Sequence, residues 1–159
     1  MEKKTDRRIR KTKTQLRAGL AKLMQTKSLK EITVKELVEE VDINRSTFYL
    51  HYTDIYQMLE SIETELQEEI KSIIENHPAG SYYEKSFPFI EEIFEVLAAN
   101  REICNALLGP NGDMAFVHRI EEIISRHSLH VLSATCKISL KDIKYAYAFC
   151  LTGCVGMVK

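Results

Sequence analysis

The densest run of side chains able to do recognition chemistry is Asn44-Arg45-Ser46-Thr47-Phe48-Tyr49-Leu50-His51. It combines a guanidinium, an amide, two hydroxyls, a phenol and an imidazole with no carboxylate. That set suits the acceptors and donors of base edges and phosphate oxygens. Two other groupings invite a chemical reading. His127 and His130, with His118 and Glu121 or Glu122 upstream, have metal-ligand spacing on a helix, but this is also the ordinary composition of an exposed helix face. Cys150 and Cys154 stand four residues apart among apolar neighbours, which favours buried structural thiols over a redox or metal pair. The chain has no GxSxG, P-loop or Cys/His nucleophile arrangement, so the expectation is a non-enzyme with no metal and no cofactor.

The charge distribution supplies the context for residues 44–51. Of 159 residues, 28% are charged and the formal net charge is only -1. Residues 1–30 nevertheless hold eleven Lys or Arg against Glu2 and Asp6, while residues 61–159 hold nine basic and fourteen acidic residues. A basic end on an acidic body places the polyanion-binding capacity at the N-terminal end. Lys3, Lys4 and the run from Arg7 to Lys13 are its core. Cys104, Cys136, Cys150 and Cys154 form no CxxC pair and fit a reducing cytoplasm. Met1-Glu2-Lys3-Lys4 carries no signal-type apolar region, and no apolar run reaches the ~18 residues of a membrane span. The expectation is a cytoplasmic protein with no membrane partner.

Helices must position these residues, since no stretch alternates with period two. Ile9, Leu16, Leu20 and Leu23 mark one stripe of a first helix over residues 5–26. After a break at Lys27-Ser28-Leu29, Thr33 and Glu36 form a capping box that opens a second helix, with Val34, Leu37, Val38 and Val41 facing inward. A tight turn at Asp42-Ile43 and a cap at Asn44 lead into a short third helix over residues 45–51. The open helix N-termini at Thr33 and Asn44 offer backbone N–H groups to phosphate. Phe48 is the inward anchor of the third helix. Together these are a helix-turn-helix.

Thr53 or Asp54 caps a long fourth helix reaching about residue 77, with Ile55, Met58, Leu59, Ile62, Leu66, Ile70, Ile73 and Ile74 on its inner face. His77-Pro78-Ala79-Gly80-Ser81 breaks the pattern. Phe89, Ile90, Ile93, Phe94 and Leu97 mark a helix entered near Pro88, followed by one over residues 101–108. Gly109-Pro110-Asn111-Gly112 reads as a loop, and Phe116, Val117, Ile120, Ile123 and Ile124 mark the next helix. Ser139 and Asp142 open a last helix that is apolar on most faces, so either a second subunit covers it or the natural chain continues. The fold class is all-α, with a helix-turn-helix domain over residues 1–54 and a helical dimerisation and effector domain over residues 55–159.

The run Ile43-Asn44-Arg45-Ser46-Thr47-Phe48-Tyr49-Leu50-His51-Tyr52-Thr53-Asp54 resembles the signature of the TetR/AcrR family of transcriptional regulators. Ile32-Thr33-Val34-Lys35-Glu36-Leu37 is similar to the opening of that family's second helix. Ala106-Leu107-Leu108-Gly109-Pro110-Asn111-Gly112-Asp113 with Phe116 is similar to the smaller subclass containing regulators of dihydroxyacetone kinase genes. The resemblance implies a repressor that binds double-stranded DNA as a homodimer on a palindromic operator. Thr33 and Tyr49 would contact phosphate. Arg45, Ser46 and Thr47 would reach phosphates or bases, His51 the backbone edge, and Asn44, Leu50, Lys3 and Lys4 would complete the interface.

Two departures stand out: Asp42 where the turn usually has Gly, and Ile55 where the family commonly has a phosphate-gripping Lys. A helix-turn-helix coregulator acting through a protein partner is the alternative. Dimerisation is expected through residues 140–159 in the C-terminal helices. A small apolar effector would be lined by Phe87, Phe94, Leu107, Phe116, Ile120, Tyr145 and Phe149.

Overall fold

The computed structural model describes residues 2–77, 88–135, 145, 148 and 153, and the side chains of residues 7–77, 89–126, 129, 145, 148 and 153. Its helices are α1 (Glu2–Met24), α2 (Val34–Glu40), α3 (Arg45–Tyr49), α4 (Ile55–Glu75), α5 (Pro88–Ala99), α6 (Arg101–Leu108) and α7 (Met114–Thr135). There is no strand among the described residues. Tyr145, Ala148 and Gly153 are helical, whereas the expected cap at Ser139 and Asp142 lies outside the described residues.

Contacts divide the chain into two units. The first holds Met1–Thr64 and Arg101–Asp113, the second Glu65–Asn100 and Met114–Lys159. In the first unit α1 packs against both α2 and α6. Leu16, Leu20, Ala21 and Met24 on α1, Leu37 and Val38 on α2, and Ile103, Cys104, Ala106 and Leu107 on α6 are buried. Each of the larger side chains among them, the Leu, Ile, Val and Met residues, contributes roughly 1.5–3 kcal/mol on leaving water. Gly19 lets the crossing come close, because a Cβ there would stand 2.4 Å from Val41 Cγ1. The loop after α6 finishes the contact: Asn111 Nδ2 donates to the Met24 carbonyl at 3.2 Å, satisfying an otherwise orphaned acceptor at the end of α1. Gly112 is required for that loop, since a Cβ would lie 1.9 Å from the Leu107 carbonyl oxygen.

The helix ends differ from the sequence reading at several points. α1 begins at Glu2 and ends at Met24, not over residues 5–26, because Lys27 and its neighbours fold back with N–H bonds to Leu23 and Lys22 carbonyls. Ile9 is 41% exposed despite its place on the apolar stripe; the buried part of that stripe starts at Leu16. The break at residues 27–29 contains a 3-10 turn, Leu29–Glu31, opened by a capping box between Ser28 and Glu31. α3 stops at Tyr49 rather than His51, as the His51 N–H turns to the Phe48 carbonyl, three residues back. α4 ends at Glu75, two residues short of His77.

The second unit includes the later part of α4, with Leu66, Ile70, Ile73 and Ile74 buried. His77 ties this helix to α5: Nδ1 lies 2.8 Å from the Ile73 carbonyl and Nε2 is 3.2 Å from Glu92 Oε1. On α5, Phe89, Ile93 and Val96 are buried while Ile90 and Phe94 are exposed. The inner face of α5 is therefore narrower than the sequence pattern suggested. Among the described residues no helix is long and apolar enough to cross a membrane.

Candidate nucleic-acid interface

The turn between α2 and α3 is built from backbone bonds. The Ile43 N–H reaches the Val38 carbonyl at 3.0 Å and the Asp42 N–H the Glu39 carbonyl at 3.4 Å, which is the Schellman pattern for ending a helix. It needs a left-handed residue, and Asp42 takes φ 52. Aspartate tolerates that conformation better than most non-glycine residues, so the departure from glycine leaves the turn intact.

Asn44 then starts α3. Its Oδ1 accepts from the Ser46 N–H at 2.9 Å and from Ser46 Oγ at 2.8 Å. At the start of α2, Thr33 Oγ1 accepts from the Glu36 N–H at 3.2 Å, and Glu36 Oε2 accepts from the Thr33 N–H at 3.1 Å. Both helix starts expected to be open to phosphate thus spend one N–H on a side-chain cap. Glu36 also bonds Lys27 Nζ at 2.5 Å. That bond first, and the Thr33 N–H and hydroxyl after it, hold the Glu36 carboxyl down at about 2.

Phe48 is fully buried and packs edge-on to Tyr49 and tilted on Tyr52, with ring centroids 5.4 and 5.8 Å away. Pinned by this anchor, α3 turns Asn44, Arg45, Ser46, Tyr49 and Leu50 outward, with Thr47 and His51 half-buried. Arg45 Nη2 donates to the Tyr49 hydroxyl at 3.2 Å. Lys13 Nζ on α1 lies 5.8 Å from the Tyr52 ring centroid, which brings the basic stretch of α1 beside the end of this segment. Arg7, Arg8, Arg10 and Lys11 are exposed on α1. The side chains of Lys3 and Lys4 lie outside the described residues. Ile55, at the position where the family resemblance implies a phosphate-gripping Lys, is buried in the core, and the adjacent Tyr56 is exposed instead. Sequence reasoning did not single out Tyr56 or the Lys13–Tyr52 contact; the interleaving of Lys13 with the stripe residues of α1 was the available signal for the latter.

The seven residues expected to line an effector site have varied surroundings. Leu107 is in the core of the first unit, Phe116 is buried and Ile120 half-buried in the second, and Phe94 and Tyr145 are exposed. Phe87 and Phe149 lie outside the described residues. An open cavity of about 420 Å³ in the first unit is lined by Gln15, Gly19, Lys22, Glu40, Val41 and Glu102, among others, and by none of the seven. Among the described residues no cluster of His, Cys, Asp or Glu could hold a metal ion; the side chains of His127 and His130 are outside that set.

A TetR-type family model described as a transcriptional regulator C-terminal region matches residues 84–159. No curated protein matches the sequence. Among solved structures, the chain is similar to the TetR transcriptional regulator from Streptococcus agalactiae 2603V, with a TM-score of 0.59 at 20% identity over 100% of this chain and 86% of that one. The chain has the fold of the TetR/AcrR transcriptional regulators, an all-α architecture with an N-terminal helix-turn-helix.

Proposed function

We propose that the protein is a sequence-specific DNA-binding transcriptional regulator, working in the cytoplasm as a homodimer on a palindromic operator and acting as a repressor. The observation that carries this reading is the two-sidedness of α3: Phe48 is buried while Arg45, Ser46, Tyr49 and Leu50 are exposed, on a helix held by a Schellman turn. Such a helix can enter a major groove with its anchor left behind in the protein. Half-sites about one helical turn apart, roughly 34–36 Å, suit two copies related by a two-fold axis. Thr33, Asn44, Thr47, His51, Lys3 and Lys4 would flank the groove with polar and cationic contacts to the backbone.

Dimerisation would use the C-terminal helices, including residues 140–159, and a small apolar effector bound in the C-terminal region would act through its different affinity for two arrangements. The likeness of residues 106–113 to regulators of dihydroxyacetone kinase genes supports placement in that subclass. The second reading is a coregulator acting through a protein partner, and the burial of Ile55 where a phosphate-gripping Lys was expected is the observation in its favour.

Selection of bound duplexes from a random pool, followed by titration at several salt concentrations, tests the proposal. Direct binding is expected, with a slope of log affinity on log salt of about -0.9 per phosphate neutralised. No binding at low salt would favour the coregulator. Sedimentation of the full chain checks the dimer.

A further inference from the structure

Leu50 is the odd residue of the candidate interface. It is 80% exposed, more than any other large apolar residue described, and it stands on an otherwise polar surface. Its backbone remains helical, with φ -71 and ψ -18, and its N–H bonds the Ser46 carbonyl at 3.2 Å. Leu50 therefore sits one turn above Ser46 on the same face. At about 100° per residue, Ser46 and Leu50 both fall nearly opposite Phe48, the buried anchor. They form the outermost ridge of α3, so a helix lowered into a groove brings these two side chains deepest. Tyr49 and Arg45, bonded to each other, lie to one side of that ridge.

A leucine at the deepest point can make no hydrogen bond, and the floor of the major groove presents one standard apolar feature, the 5-methyl group of thymine. The basic residues Arg7, Arg8, Arg10 and Lys11, exposed on α1 of the same unit, favour a polyanion over an apolar protein surface as the occupant. We infer that Leu50 is a specificity-determining residue that reads a thymine methyl in each half-site. This rests on the DNA-binding reading above and adds the base preference that it leaves open.

The test uses the full chain and the tightest duplex selected from a random pool, prepared once with thymidine and once with deoxyuridine, which lacks only the methyl. The wild type is expected to bind the deoxyuridine duplex more weakly, by about fourfold for each thymine contacted, the effect of burying one methyl group. Leu50→Ala should bind the two duplexes within about twofold of each other, because an alanine at that depth leaves most of the methyl in water. Equal wild-type binding to the two duplexes, or an undiminished preference in Leu50→Ala, overturns the inference while leaving DNA binding standing. Failure of the wild type to bind either duplex overturns both.

Discussion

Arg45 and Tyr49 are locked together across one turn of α3: Nη2 donates to the phenol oxygen at 3.2 Å and the guanidinium carbon lies 5.7 Å from the ring centroid. The pair restricts a long side chain, which lowers the rotamer freedom left to lose in the DNA complex proposed above. Arg45→Ala is expected to weaken binding to the selected duplex by about tenfold or more. Tyr49→Phe keeps the ring and removes the tether, so its loss should be smaller. Titration at several salt concentrations assigns the role of Arg45: a fall of about one in the salt slope means phosphate, and an unchanged slope means a base edge.

Phe48 joins α3 to the core: it is fully buried and packs on the buried Tyr52. Phe48→Ala should cost about 3–5 kcal/mol, the usual effect of emptying a fully buried aromatic site. Urea denaturation of variant and parent gives the comparison directly. A loss under about 1 kcal/mol would mean that α3 is not anchored through this ring.

Asp42 occupies the left-handed position of the turn at φ 52. A β-branched residue there is strained, so Asp42→Val should destabilise the fold by about 1–2 kcal/mol. Asp42→Gly should be neutral or slightly stabilising, since glycine reaches this conformation without steric cost. Thermal melts of the two variants should bracket the parent.

Glu36 carries a pH dependence of determined sign. Its carboxyl is held at about 2 against an ordinary 4.5, chiefly by the Lys27 ammonium and then by the Thr33 N–H and hydroxyl. Folding therefore favours the ionised form. The resulting stability is complete above about pH 4.5 and is lost as pH falls toward 2. Glu36→Gln should remove this part of the acid sensitivity, and Lys27→Met should raise the Glu36 titration midpoint. A chemical-shift titration placing the parent's midpoint near the ordinary carboxylate value would contradict the geometry.

Much of this architecture can be read from residue order because its determinants are local. Thr33 with Glu36, Asn44 with Ser46, and Asp54, whose Oδ1 accepts from the Gln57 N–H at 2.8 Å, are caps spelled out within four residues. All eight inward positions assigned to α4, from Ile55 to Ile74, are buried, because a long helix repeats its period often enough to be unambiguous. The packing of α6 on α1 was not legible: it joins segments some ninety positions apart through surfaces that any apolar helix could offer. Ile9 and Phe94 show the same limit. Periodicity tells which side of a helix is apolar, but a neighbouring element decides how far along that side is covered. For the interface residues, the sequence supplies the types, and the Arg45–Tyr49 bond and the outward ridge of Ser46 and Leu50 depend on the fold around Phe48.

The pairing of α6 with α1 has a practical corollary for hybrid proteins built on this fold. A chimaera that transplants only the first sixty or so residues onto a foreign body would leave behind residues 101–113, which belong to the same contact unit. The graft would arrive with the Leu16–Met24 side of its leading helix undressed and the Met24 carbonyl deprived of Asn111. A working exchange of the N-terminal unit in this scaffold has to move both stretches of gene together, or alter the exposed residues of α3 one by one in place.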